Sequence, residues 1–554
     1  MWPALILAVT ALVQISPLAH AAPPNVTLDY ATYEGLSNKH GITSFLGMRY
    51  AAAPIGNYRF AAPQDPGVET ATQQATRFGN VCIGVNQSPG TPVIGGYTYG
   101  EDCLFISVSS PTRAANSSLL PVIIWITGGG YAIESSTNFD FDQFINASNG
   151  SVVVAQMNYR VGALGFLAGQ EVQSEGALNA GLLDQRKALQ WVRKYISQFG
   201  GDPDHVVMVG GSAGAGSVGL HLTAYGGRND SLFVGAVGDA FFYPTVNNAT
   251  FSQHQFDTLA TTVGCGSASD KLACLRSVDI NAIQQGDING AYPNQTLDSQ
   301  YIWTPVVDGN FIQDLPLRMI QNGQFVKVPL IVGDVTDEGT LFANNALDAQ
   351  EVSKFMSANF PLLSSDNLTT INKLYPPTTL FPFHNLYFSS SAAAYGESSF
   401  KCPGYLIGTS MAAAGLASSV WQYNFNQTIP AIATAGFGVM HQSDLGALFG
   451  GSVGSSTGFF DLADNVENAV LFESYNAGNK MSSTIAMDYL ISFVRSLDPN
   501  TFKASAAPRW NAAFASHSAE QMRIQDIGTQ MEQISTDFIA RCAFWTDLLS
   551  QIGQ

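Results

Sequence analysis

Along the chain, short apolar runs rich in Val and Ile alternate with stretches in which apolar positions recur every three or four residues. Residues 121–126, 151–155, 205–209, 328–332 and 419–423 are apolar toward both faces. That pattern predicts strands of a sheet covered on both sides, because a half-solvated strand alternates polar with apolar side chains. Between the second and third runs, residues 184–199 place Leu189, Val192, Ile196 and Phe199 at helical spacing and end at Gly200 and Gly201, a helix with its stop signal. Strand, helix, strand is the unit of a parallel sheet. No repeat, low-complexity tract or linker interrupts the series, so the pattern predicts one α/β domain over residues 22–554. Its expected architecture is a large, mostly parallel central sheet with helices on both faces and long loop insertions.

Composition sharpens this picture. Of 554 residues, 46% are hydrophobic and only 12% charged, which predicts a large packed core rather than disorder. The 53 glycines and 25 prolines place much of the chain in turns and loops. A net charge of −18 argues against a nucleic-acid partner, since phosphate binding draws on clustered Lys and Arg.

The first residues form an apolar run too short to span a bilayer, closed by Ala19-His20-Ala21, which reads as a secretory signal over residues 1–21. Sequons begin at Asn25, Asn86, Asn116, Asn146, Asn149, Asn229, Asn248, Asn294, Asn367 and Asn426, so glycosylation is expected at these positions. Six cysteines, an even number, fit a disulfide-permissive compartment. Residues 544–549 are neither long nor apolar enough for a membrane span or lipid-anchor signal. The expected product is secreted, glycosylated and without a membrane anchor.

Candidate chemistry sits at strand ends. After residues 205–209 comes Gly210-Gly211-Ser212-Ala213-Gly214, followed by a helical pattern. G-x-S-x-G between a strand and a helix is a nucleophile elbow, in which small neighbours permit a strained turn that lifts the serine Oγ clear of the sheet. The motif alone is common; its strand-to-helix setting makes it specific. Gly128-Gly129-Gly130 directly follows another strand and offers backbone N–H groups to a developing oxyanion. Gly129, Gly130 and Ala213 are the expected donors. In an α/β-hydrolase fold the acid and then the histidine follow the serine. Of the histidines beyond a later acid, His384 lies in an aromatic segment that reads as packing and His517 in a polar surface stretch. His441 follows a strand through a glycine-containing loop, which suits a general base. The acid is open among Asp334, Asp337 and Glu338, which spacing alone does not separate.

These residues together resemble the type-B carboxylesterases, which include cholinesterases and a group of fungal lipases. The resemblance rests on Arg59-Phe60 with Pro63, Glu101 through Leu104, Gly128 through Gly130, Asn158 through Gly162, Asn179 through Gln185, Phe199 through Pro203, the elbow, Asp337-Glu338-Gly339 and the His441 segment. It implies an α/β-hydrolase fold, Glu338 as the acid and His441 as the base. It also implies disulfides Cys82–Cys103 and Cys265–Cys274, with Cys402 and Cys542 as a third pair. The implied activity is hydrolysis of small-molecule carboxylic esters by Ser212, His441 and Glu338 through an acyl-enzyme, with no metal or cofactor. Two alternatives are a triglyceride or sterol-ester lipase and a non-catalytic adhesion protein; retention of all three residues weighs against the latter. Two departures stand out. Gly211 replaces the usual Glu, so a buried carboxylate beside the triad is expected to be missing, and Thr127 replaces an aromatic residue or His. The loop between Cys82 and Cys103, where lipases carry an amphipathic lid and cholinesterases a cation-binding Trp, has neither an apolar helical stripe nor a Trp. Interfacial activation and choline esters are therefore disfavoured. The sequence does not fix the oligomeric state.

Overall fold

A computed structural model describes residues 23–92, 97–116, 119–135, 138–378, 380–450, 480–515 and 519–554. The segment read as a secretory signal lies outside them. Eleven strands form the central sheet: β1 (Leu36–Ser37), β2 (Ile42–Arg49), β3 (Phe105–Pro111), β4 (Leu120–Ile126), β5 (Val153–Met157), β6 (Gly201–Gly211), β7 (Gly235–Asp239), β8 (Leu330–Val335), β9 (Val420–Phe425), β10 (Glu520–Ile524) and β11 (Gln530–Gln533). Their spatial order is β11-β10-β9-β8-β7-β6-β4-β5-β3-β2-β1. Pairing is parallel from β5 through β4, β6, β7, β8 and β9 to β10 and antiparallel at both edges. All five runs expected to be strands are strands, and all lie in the parallel centre, which β7 and β10 complete.

The double-sided burial of that centre shows in β4. Val122, Ile124 and Ile126 enter a core with Leu189 and Val192 of α1 (Ala180–Tyr195) and Val218 and Leu222 of α2 (Ala213–Gly227). Ile123 and Trp125 enter a second core with Tyr489, Leu490, Phe493 and Val494 of α3 (Lys480–Ser496). Alternate side chains thus go to opposite cores, as period-two geometry requires. The helix expected at 184–199 is α1 followed by a tighter turn, Ile196–Phe199, that ends at Gly200 in the left-handed conformation (φ 85°).

Several motif residues act as structural ties. Arg160 forks onto Asp184 at 2.7 Å through both Nε and Nη2, both side chains buried, and Arg59 forks onto Glu101. Asn179 exchanges two hydrogen bonds with the backbone of Val306. Disulfides join Cys82 to Cys103, Cys265 to Cys274 and Cys402 to Cys542, the three pairs expected. The first closes a loop with a sequence separation of 21, a constraint on the unfolded chain worth on the order of 3 kcal/mol.

Two buried carboxyls pin this loop to the sheet. Glu134 accepts from the backbone N–H of Cys82 at 2.7 Å and of Tyr159 at 3.0 Å, and burial pushes it up to about 8. Asp287 accepts from Ala163 N–H at 2.9 Å, and burial pushes it up to about 7. Gln284, oriented so that its amide nitrogen donates to the carbonyls of Gly84 and Gln87 at 2.9 Å, turns its carbonyl toward Asp287 Oδ2, where a protonated carboxyl donates.

Both carboxyls are easier to protonate folded than unfolded, so their stability contribution is complete below about pH 4 and is lost as pH rises through 7 to 8. The melting temperature is therefore expected to fall by a few degrees between pH 5 and pH 8.5. Asp287→Asn, which keeps both contacts without the titration, is expected to flatten that fall while leaving stability at pH 5 unchanged. Calorimetry across this range checks it, and a slope identical to wild type contradicts it.

Candidate active site

At the junction of β6 and α2 the chain reverses within one residue. Ser212 has φ 57° and ψ −124°, a conformation that costs a non-glycine residue about 1–3 kcal/mol. The surroundings hold it there. Its N–H donates to the Asp239 carbonyl at 2.8 Å, and its carbonyl accepts from Gly216 at 2.9 Å and from Phe242 at 3.3 Å. Ala213 opens α2, so its N–H has no acceptor within the helix and lies at the positive end of the helix dipole.

The loop after β4 lies against this serine. A Cβ built on Gly128 would sit 2.8 Å from Ser212 Cβ. Gly129 has φ 114°, and a side chain there would strike the Ile133 carbonyl at 2.0 Å; only glycine fits. The Gly129 carbonyl accepts from Ala132 and Ile133, each at 3.0 Å. Gly130 lies beside the ring of Tyr301. The three expected donors thus belong to two elements that meet at Ser212.

On the neighbouring strand ends the structure separates the three candidate acids. Asp334 accepts from Asn424 Nδ2 at 2.6 Å and faces Lys401 Nζ at 3.4 Å. Asp337 accepts from Val439 N–H at 2.8 Å and so ties down the loop that carries His441. Glu338 reaches the histidine itself: Oε2 lies in a short contact with His441 Nδ1, and Oε1 accepts from Val335 N–H at 2.7 Å. Both side chains are buried. His441 lies between Phe342 and Phe400, with ring centroids at 5.1 and 4.5 Å. His384 packs flat on Phe388 at 3.6 Å, as its aromatic setting implies, and His517 lies outside the described residues.

Gly211 has a local explanation. A Cβ there would approach Gln442 Nε2 to 2.3 Å and Trp125 to 3.1 Å, so the side chain next to His441 occupies the space beside Ser212. Gly211 leaves no carboxylate at its own position, as expected, but two other buried carboxyls, not anticipated from the sequence, lie near the site. Asp239 and Asp444 are both buried, and the Tyr423 hydroxyl lies 3.2 Å from the first and 2.8 Å from the second. Burial raises both; the charge of Asp444 adds to it at Asp239, which is held well above the carboxylate range, and the charge of Glu338 adds to it at Asp444, which is raised to about 6. Asp444, three residues after His441, was the readable signal; Asp239 closes an apolar strand and gave none.

A cavity of about 410 Å³ opens beside Gly129, bounded by Asn86, Tyr99, Ile133, Tyr301, Leu341 and Phe342. None of its described lining residues is charged, which fits a neutral ligand. Among the described residues no cluster of His, Cys, Asp and Glu has a metal-holding arrangement.

Comparison with known proteins agrees with this geometry. Residues 22–545 match the model of the carboxylesterase family. The chain belongs to that family. It is a carboxylic ester hydrolase with an α/β-hydrolase fold. It is similar to "Lipase 4" of Diutina rugosa, 34% identical over 69% of this chain and 76% of that one. It is also similar to "Secreted lipase 1" of Botryotinia fuckeliana, 29% identical over 88% and 87% of the two chains. The crystal structure of Aspergillus niger EstA superposes with a TM-score of 0.90 at 43% identity, covering 96% of this chain and 99% of that one.

The contact between Gly211 and Gln442 is open to a double-mutant test. Gly211→Ala is expected to push Gln442 against the His441 loop and lower kcat/KM about ten- to a hundredfold, and Gly211→Ala with Gln442→Ala to recover most of it. A fully active Gly211→Ala enzyme contradicts this coupling.

Proposed function

We propose that the chain is a secreted serine carboxylesterase, a single domain over residues 22–554, that hydrolyses uncharged carboxylic esters through a Ser-His-Glu triad. The observation that carries this reading is the buried contact of Glu338 with His441 on the loop that packs against the Ser212 elbow. Ser212 Oγ attacks the ester carbonyl while His441 takes its proton, and Glu338 holds the imidazolium. The N–H groups of Gly129, Gly130 and Ala213 receive the oxyanion. His441 then protonates the leaving alcohol, and water activated by the same imidazole releases the acid from the acyl-enzyme. The uncharged cavity supports a neutral substrate, and its walls are fixed by the Cys82–Cys103 loop and the segment at Leu341 and Phe342.

Three disulfides and the names of secreted relatives support export. Of the sequon asparagines, Asn25, Asn86, Asn146, Asn149, Asn229, Asn248 and Asn294 are exposed and open to glycans. Asn367 and Asn426 are half-buried and engaged in hydrogen bonds, and the side chain of Asn116 lies outside the described residues. The lipase reading gains from the names of two relatives. No described helix is long and apolar enough to cross a membrane.

Ser212→Ala is expected to lower hydrolysis of p-nitrophenyl butyrate by at least about 10⁴-fold with an unchanged circular dichroism spectrum. Activity at the wild-type rate in the folded variant contradicts the assignment.

A further inference from the structure

Four large apolar side chains break the surface together. Leu380 is 73% exposed, Phe383 86% and Leu386 56%, all within seven residues, and Leu347 is 64% exposed on the segment beside them. The two segments are bolted to each other: Asn385 donates from its backbone to Asn345 Oδ1 at 2.6 Å and from Nδ2 to the Asn345 carbonyl at 2.8 Å. A single exposed apolar residue is ordinary, whereas a cluster marks an interaction site.

The loop also carries local backbone strain. Phe383 has φ 65°, in the left-handed region that a bulky residue disfavours. Beneath it His384 is stacked on Phe388 and lies edge-on to Phe437 at 5.6 Å. The underside is therefore fixed in the protein and the aromatic tip is held in solvent. Not one Asp, Glu, Lys or Arg occurs from residue 374 to residue 396, in a chain of net charge −18.

The patch adjoins both parts of the site. Its underside rests on Phe437, whose carbonyl accepts from Thr340 Oγ1 at 2.7 Å, four residues before His441. Leu347 ends the segment that begins with Leu341 and Phe342, which line the cavity.

We propose that residues 380–386 with Leu347 dock on a neutral lipid–water interface and bring water-insoluble esters to the cavity. This rests on the esterase reading and specifies its substrate class. Charge selects the occupant: an uncharged tip enters an uncharged lipid phase without desolvating ions, while an anionic surface repels a molecule this acidic. Size agrees, since four side chains offer roughly 500 Å², less than the roughly 800 Å² that each partner of a standard protein interface buries. A projecting tip needs no complementary pocket in a fluid phase. The patch lies outside the Cys82–Cys103 loop.

The test compares wild type, the double variant Leu380→Ser with Phe383→Ser, and Phe383→Trp. Adsorption to neutral triolein droplets is measured by depletion from solution, and hydrolysis of dissolved p-nitrophenyl acetate serves as the control. The double variant is expected to lose at least about tenfold in adsorption with an unchanged rate on the dissolved ester, and Phe383→Trp to retain adsorption. Unchanged adsorption in the double variant overturns the proposal. So does a parallel loss on the dissolved ester, or a concentration-dependent wild-type dimer that the double variant abolishes, which makes a second copy the occupant. Failure of the esterase reading shows separately, as activity that survives Ser212→Ala.

Discussion

Everything in the site follows from one strained residue at the end of the central strand. Ser212 is held at φ 57° because the chain must leave β6 and start α2 at once. The rigid parallel centre on either side, β4 and β7, leaves it no room to relax. The cost of about 1–3 kcal/mol is small against the packing of a sheet buried on both faces, and the hydrogen bonds to Asp239, Gly216 and Phe242 keep it in place. The same reversal puts the first N–H groups of α2 next to the serine, so the turn that presents the proposed nucleophile also places the proposed oxyanion donor beside it.

Around this point the protein keeps ionisable groups out of water and controls them by contact. Glu338 faces His441, Asp337 anchors the histidine loop, and Asp334 faces Lys401. Three neighbouring acids thus do three different things. The pair Asp239 and Asp444, joined through Tyr423, keeps protons at pH values where exposed carboxylates have lost them. With Glu134 and Asp287 above the sheet, these groups make the folded state favour acid, which suits a chain that carries few cations.

Five strands of the parallel centre were legible because strands buried on both faces must be apolar throughout; β7 was not, since glycines and Asp239 break up its short apolar run. The edge strands β1, β10 and β11 were not, since they are short and half-exposed, and their sequences alternate little. The elbow and the glycine loop announce themselves through residue types that only strained turns require. Choosing Glu338 over Asp334 and Asp337 depended on which way each side chain leaves one tight turn, a property that spacing does not encode, and only the family resemblance indicated it. His384 in the aromatic segment at 381–388 read as packing and does pack, on Phe388, while Phe383 beside it stands in solvent: the two sides of a loop carry the same composition and face different surroundings.

The central claim is that the strained Ser212 is the nucleophile, and active-site titration with a p-nitrophenyl phosphonate tests it most directly. The account predicts one equivalent of p-nitrophenol released, one phosphonyl adduct per chain on the peptide that contains Ser212, and activity lost in proportion. An adduct on any other residue, or a protein that stays active and unmodified, would contradict it.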